Sequence, residues 1–157
     1  MRFPARPPTP MLGRRSAPRA VLLARRSWFT AIAAGLFEAL VAVLRSVDDV
    51  PRPTGSIVAG VAVRLLLFTV ASWLTVRMSH GSAGSRAALA VLLGVLGLGS
   101  LLIGPVEWVV SGLHLPSAAP STGAWLFGAS RVVHIVAVVT AMTLMFTPAA
   151  NTWFRRR

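Results

Sequence analysis

The chain has 157 residues, of which 55% are apolar and 13% charged; the charged share is about half of the roughly 25% usual in soluble domains. There is room for one domain, and the absence of cysteine excludes disulfides, thiolate metal sites and thiol nucleophiles. The formal net charge is +12 and all sixteen basic residues are arginine. They fall mostly outside the apolar segments, where membrane topology accounts for them better than nucleic acid does. No nucleic-acid partner is inferred.

Residues 1–27 contain seven arginines, five prolines and no acid. The prolines at 4, 7, 8, 10 and 18 prevent a continuous helix, and nothing in the segment forms a core. It reads as a flexible basic cytoplasmic arm that attracts anionic lipid, with Met11 as an alternative start. Arg25-Arg26-Ser27-Trp28-Phe29 resembles a twin-arginine signal. The next apolar stretch holds Glu38 and lacks a small-x-small cleavage site, so an uncleaved signal-anchor is the better reading.

Four apolar segments follow, at about 28–44, 56–76, 87–112 and 124–146. Each approaches or exceeds the roughly 20 residues needed to cross about 30 Å of hydrocarbon. None shows the period-2 alternation of a membrane barrel, so the fold expected is all-α: a polytopic antiparallel bundle of four transmembrane helices over 28–147, closed by a basic cytoplasmic tail at 148–157. Twelve arginines lie on the side of the termini and the 77–86 loop, against Arg45 and Arg52 on the other side. The positive-inside rule therefore puts both termini in the cytoplasm of a multi-pass cell-membrane protein. Trp28, Trp108, Trp125 and Trp153 stand at the expected helix ends, as interfacial anchors do.

The two halves match each other. Gly35-Leu-Phe-Glu38-Ala-Leu-Val-Ala-Val-Leu44 aligns without gaps on Gly104-Pro-Val-Glu107-Trp-Val-Val-Ser-Gly-Leu113, and each is followed by Gly…Gly…Arg, ending at Arg64 and Arg131. This points to a two-hairpin internal repeat.

Ionisable residues inside a bilayer cost at least about 2.5–3.5 kcal/mol each at its centre, so those present need a reason. Glu38, Arg64, Glu107 and Arg131 form a candidate charge layer, joined by His134. At about 1.5 Å per residue, the four charges lie roughly 7–12 Å below the outer surface. Ser100, Gly104, Glu107 and Ser111 make one small and polar stripe on the third helix, and antiparallel packing sets Glu107 level with Arg131 and Glu38 level with Arg64. The layer is read as structural ion pairs or as a polar cavity. His134 reads as an interior histidine. His80 and His114 fall on opposite sides of the membrane and cannot complete a haem or metal site with it, so no cofactor or metal is expected. No phosphate loop or serine nucleophile elbow is present, and no enzymatic activity is expected.

Arg131-Val-Val-His134, followed by Phe146-Thr-Pro148-Ala-Ala-Asn151-Thr-Trp153-Phe154-Arg155, resembles the end of small four-span membrane proteins of actinobacteria. The arginine-only basic set fits a high-GC genome. This resemblance, over the last quarter of the chain, implies the architecture alone. The glutamate in the first helix is similar to that of small multidrug-resistance transporters, but the basic arm, the later intramembrane charges and the biased topology all depart from them. The function inferred is a structural or accessory membrane protein whose charge layer holds the bundle and which acts through a protein partner or as a homo-oligomer. The alternative is a small proton- or solute-coupled transporter or channel using Glu38 and Glu107.

The charge bias generates a direct test of orientation. In this cysteine-free chain, a single cysteine at Ser121 should react with an impermeant thiol reagent in intact cells, and one at Ser16 or Ser82 should not. Labelling at 82 with none at 121 would reverse the topology.

Overall fold

A computed structural model describes residues 17–48, 54–112 and 121–155. The expected basic arm up to residue 16 with the alternative start at Met11, residues 49–53 and 113–120 of two expected loops with Arg52 and His114, and the terminal Arg156 and Arg157 lie outside the described residues; residues 45–48 of the first loop continue α1. Among the described residues every element is helical: α1 (Arg19–Asp48), α2 (Thr54–Ser79), α3 (Ala83–Leu89), a π-helical segment (Ala90–Gly97), α4 (Leu98–Val110), α5 (Thr122–Met145) and α6 (Pro148–Arg155).

Local chemistry sets the ends of these helices. Pro18 is the last proline of the N-terminal segment, and α1 begins directly after it, the Pro18 carbonyl accepting from the amides of Val21 (2.9 Å) and Leu22 (3.2 Å). The helix thus starts at Arg19 rather than near Trp28, and the last residues assigned above to the arm are helical. The run 19–27 has no proline and consists mostly of Ala, Leu and Arg, all good helix formers. Ser82 caps α3 by accepting from the Ser85 amide at 3.3 Å, and Ser121 caps α5 by accepting from the Ala124 amide at 3.3 Å. Thr147 accepts from the Ala150 amide at 3.4 Å with Pro148 at the first helical position, so the expected tail carries a helix as far as Arg155. Gly81 (φ 95°) and Gly112 (φ 93°) follow the ends of α2 and α4 in the left-handed conformation that costs glycine little.

Four stretches are long and apolar enough to cross a membrane: Arg19–Leu44, Val58–Ser79, Ala83–Glu107 and Thr122–Met145. Between 11% and 17% of each apolar window is buried inside the protein. Apolar surface on that scale would drive aggregation in water and is ordinary against lipid.

Burial is concentrated at one end of the molecule. The start of α1 (Val21, Ala24, Trp28), the end of α2 (Leu74, Met78), Leu89 of α3, the end of α5 (Val138, Ala141, Met145) and α6 (Ala150, Phe154) share a single apolar core. Trp28, expected at an interface, is instead fully buried there. It lies three turns into α1 because the helix starts early, and its indole N–H has no hydrogen-bond partner among the described residues. Trp125, two-thirds exposed in the first turn of α5, keeps the position of an anchor. Gly94, in the π segment, is buried against Met142: a Cβ there would come within 2.8 Å of both Sδ and Cε of that side chain. Glycine at 94 is what lets this segment reach α5.

Helix α6 is held by an arginine from α3. The Arg86 guanidinium donates to the Asn151 side-chain oxygen at 2.6 Å, and lies 4.3 Å from the Phe146 ring centre and 4.9 Å from that of Phe154. Cation–π contacts contribute about 0.5–2 kcal/mol each, according to how dry they are. Arg86→Ala should therefore lower the melting temperature in detergent and speed amide exchange across 148–155. Arg86→Lys should recover only part of the loss, because an ammonium has no flat face to stack. Unchanged exchange in Arg86→Ala would mean that Ala150 and Phe154 hold α6 without it.

Candidate functional site

The site is built on the contact between α1 and α5. Along α1, Val21, Ala24, Trp28, Ala31, Gly35, Glu38 and Ala42 recur at alternating spacings of three and four, which places them on one stripe. Along α5, Arg131, His134, Val138, Ala141 and Met145 do the same. Alanine and glycine on these stripes let the two backbones approach closely. Gly35 is decisive: a Cβ there would stand 3.0 Å from Cε1 of His134 and 3.2 Å from Cε1 of Phe68. Its absence makes room for the imidazole.

One turn above Gly35, the His134 imidazole meets Glu38, with Nδ1 and Oε1 3.1 Å apart. An ionised carboxylate can only accept, so Nδ1–H donates. The side chains are 17% (His134) and 12% (Glu38) exposed, so water screens the contact little. A carboxylate and an imidazole thus meet at an interior position, where ionisable side chains are rare.

This pair lies in the wall of a cavity of about 590 Å³ to which all four spans contribute. The volume falls within the roughly 300–1,000 Å³ of small-molecule sites. Glu38, Arg64, Ser100 and His134 are its polar side chains, and the rest of the lining is apolar, with Phe68 and Phe127 the largest members. A second cavity of about 200 Å³ lies between α1 and α2, and Arg64 lines both. Serine, histidine and glutamate in one cavity raise the question of a nucleophile. The Ser100 hydroxyl, however, donates to the Gly97 carbonyl at 2.8 Å, so no serine–histidine bond is formed. No group of three or more His, Cys, Asp or Glu capable of holding a metal occurs among the described residues.

The other ionisable groups are engaged differently. Pro105 has no amide hydrogen, so the carbonyl four residues earlier, that of Leu101, loses its helical partner. Arg131 reaches across from α5 and supplies one: Nε donates to the Leu101 carbonyl at 3.1 Å and Nη2 at 2.5 Å. Gly104 lies under this arginine, a Cβ there being 3.8 Å from Nη2. Arg64 Nη1 donates to the Gly60 carbonyl of its own helix at 3.2 Å. Glu107 is exposed, and among the described residues it has no ion-pair partner.

The five residues of the expected charge layer thus form one ion pair, and it is neither of the pairs expected. Glu38 takes His134 rather than Arg64, and Arg131 takes a backbone carbonyl rather than Glu107. Gly35 opens α1 toward α5, so the nearest basic group to Glu38 is on α5; and a carbonyl left bare by proline answers Arg131 without adding a second charge. The stripe on the third span does set Gly104 against Arg131, as its spacing required. The two glutamates aligned by the internal match have unlike surroundings, and the π segment of the second half has no counterpart in α1 or α2. One signal for the Arg131 contact was legible in advance, since a proline inside a span always leaves a carbonyl four residues back to be satisfied. Comparison with known proteins finds no family, no curated protein and no solved structure that matches this chain.

Proline and arginine should be energetically coupled. Arg131→Gln should lower stability by about 1–3 kcal/mol, the cost of leaving a buried polar group poorly satisfied. In a Pro105→Ala background the new amide can bond Leu101, and the same substitution should cost less than half as much in a double-mutant cycle followed by thermal unfolding. Equal costs in both backgrounds would mean that Arg131 does not serve the proline gap.

Proposed function

We propose that this is a multi-pass protein of the cell membrane, an antiparallel bundle of four spans with both termini in the cytoplasm, that binds a small solute in its central cavity. In this reading Glu38 and His134 are the proton-binding pair of a small coupled carrier. The observation that supports it is the placement of that pair in the wall of a cavity of about 590 Å³ lined from all four spans. A charge layer serving only to lock the helices would pair its carboxylates with its arginines and leave little space beside them. Here Arg64 faces the cavity, and the one interior ion pair among the described residues uses a histidine. The reading is not catalytic; the Ser100 hydroxyl, bonded to the Gly97 carbonyl, gives no support to a serine nucleophile.

A second reading, a structural or accessory protein acting through a partner, is favoured by the contact of Arg131 with Leu101, whose effect is to complete a helix rather than to meet a solute.

Cysteine accessibility separates the two. A water-borne methanethiosulfonate reacts with thiols in water far faster than with thiols in lipid. Ser100→Cys faces the cavity and should be modified in intact membranes. Val95→Cys, on the exposed apolar surface, should stay unmodified. Glu38→Gln should leave this labelling in place while abolishing proton uptake coupled to solute in reconstituted vesicles. No modification at position 100 would close the cavity to water and favour the accessory reading.

A further inference from the structure

We infer that the ligand of this cavity is an organic monoanion with an apolar body, held by Arg64 and bound together with a proton on the Glu38–His134 pair. The inference rests on the binding reading above and specifies its ligand.

The charged groups facing the cavity are Glu38 from α1, Arg64 from α2 and His134 from α5; the π segment and α4 add Ser100 as their one polar side chain. Glu38 and His134 answer each other at 3.1 Å. A cationic ligand would have to take the carboxylate away from the imidazole and would face Arg64 as well. Arg64 is differently placed: of its five N–H donors, the contact formed is one Nη1 bond to Gly60, so much of the guanidinium fork is open to a ligand among the described residues. A planar fork of donors in an apolar wall is the recognition geometry for a carboxylate or a phosphate oxygen pair. Arg64 is exposed and among the described residues has this single bond, to its own helix; a guanidinium with so few partners at membrane depth is costly, and an anion relieves that cost where a neutral molecule does not.

The remaining surface sets the rest of the ligand. Leu67 and Phe68 flank Arg64, and Leu92, Leu93, Leu96 and Phe127 extend the lining away from it. They offer no hydrogen-bonding side chain, so the body that fits there is hydrocarbon. A single acidic head and an apolar body describe the ligand.

Charge accounting then ties the anion to a proton. With neutral His134 and ionised Glu38 the pair carries −1, which cancels Arg64 and leaves the cavity neutral. With one more proton the pair is neutral, and the cavity carries +1. Anion binding is favoured in the second state, so the anion raises proton affinity, and the proton raises anion affinity by the same factor. Among the described residues no other titratable group lines the cavity with the pair: Arg131 is turned to Leu101 and Glu107 is exposed.

The Ser100→Cys protein in phosphatidylcholine vesicles provides the test, with protection from the methanethiosulfonate as the readout. Decanoate should slow modification by about fivefold or more, in the range of ordinary coupling between sites, and more strongly as the pH is lowered, because proton and anion bind together. Decanol and decyltrimethylammonium should protect far less. Arg64→Gln should remove the preference for decanoate over decanol while leaving position 100 reactive. Arg131→Gln should keep that preference, and His134→Gln should flatten the pH dependence. In phosphatidylglycerol vesicles, protection already present without decanoate identifies a membrane lipid as the source of the anion; protection that requires decanoate identifies a free amphiphile. Either result supports the inference. Equal protection by the alcohol or the cation overturns the anion while leaving the binding cavity standing. A position 100 that is never modified overturns the cavity and the anion together.

Discussion

Close approach of α1 and α5 is the constraint on which the interior depends. In lipid no hydrophobic force draws two apolar helices together, so contact has to come from dispersion between well-fitted surfaces and from the few polar groups that meet there. Ala24, Ala31 and Gly35 on one side, with Ala137 and Ala141 on the other, keep the seam thin. A thin seam brings the imidazole of His134 up to the α1 backbone at Gly35, and from there it reaches Glu38. A larger residue at 35 would hold the ring off, and the carboxylate would lose its partner. The ion pair is therefore a consequence of packing, and the cavity beside it is what remains where the other spans do not follow the same close path.

The two ends of the molecule differ in kind. Where α1 begins and α2 and α5 finish, large side chains such as Trp28, Met78 and Met145 fill the interior, and α6 folds back over it under the hold of Arg86. Toward the far end, Leu65, Leu66, Val106 and Val110 all stand exposed, and the cavity lies between these regimes. A densely packed end beside a less buried one is the distribution that the proposed binding reading calls for, since regions that open are drawn from the less densely packed part of a fold.

The spans were legible in the sequence because the cost of leaving a peptide group unpaired in hydrocarbon is large and non-specific; any run of about twenty apolar residues must answer it in the same way. The placement and partners of the ionisable residues were less so: Glu38 and His134 are part-buried against each other, while Arg64 and Glu107 are exposed. Whether Glu38 meets Arg64 or His134 depends on the rotation of α1 by a fraction of a turn, and that rotation is fixed by which face carries glycine and alanine, a property of two helices together. The early start of α1 had a local cause in Pro18, but counting arginines hid it, since Arg19, Arg25 and Arg26 suit the first turns of a long helix as well as they suit an arm. The grip of Arg86 on α6 joins residues 65 positions apart and had no local signature.

The π segment carries a consequence for the third span as a whole. An α-helix advances about 100° per residue, so each residue taken up by a wider turn sets back every later side chain by that angle. Ala83–Leu89 and Leu98–Val110 therefore present their faces in separate phases, the first set by Arg86 and Leu89 at the packed end and the second by the grip of Arg131 on Leu101. The stretch between them acts as a vernier joining two scales that do not share divisions. The wide turn thus lets each end of the span bury its own face, a freedom that an unbroken helix, geared rigidly along its length, does not have.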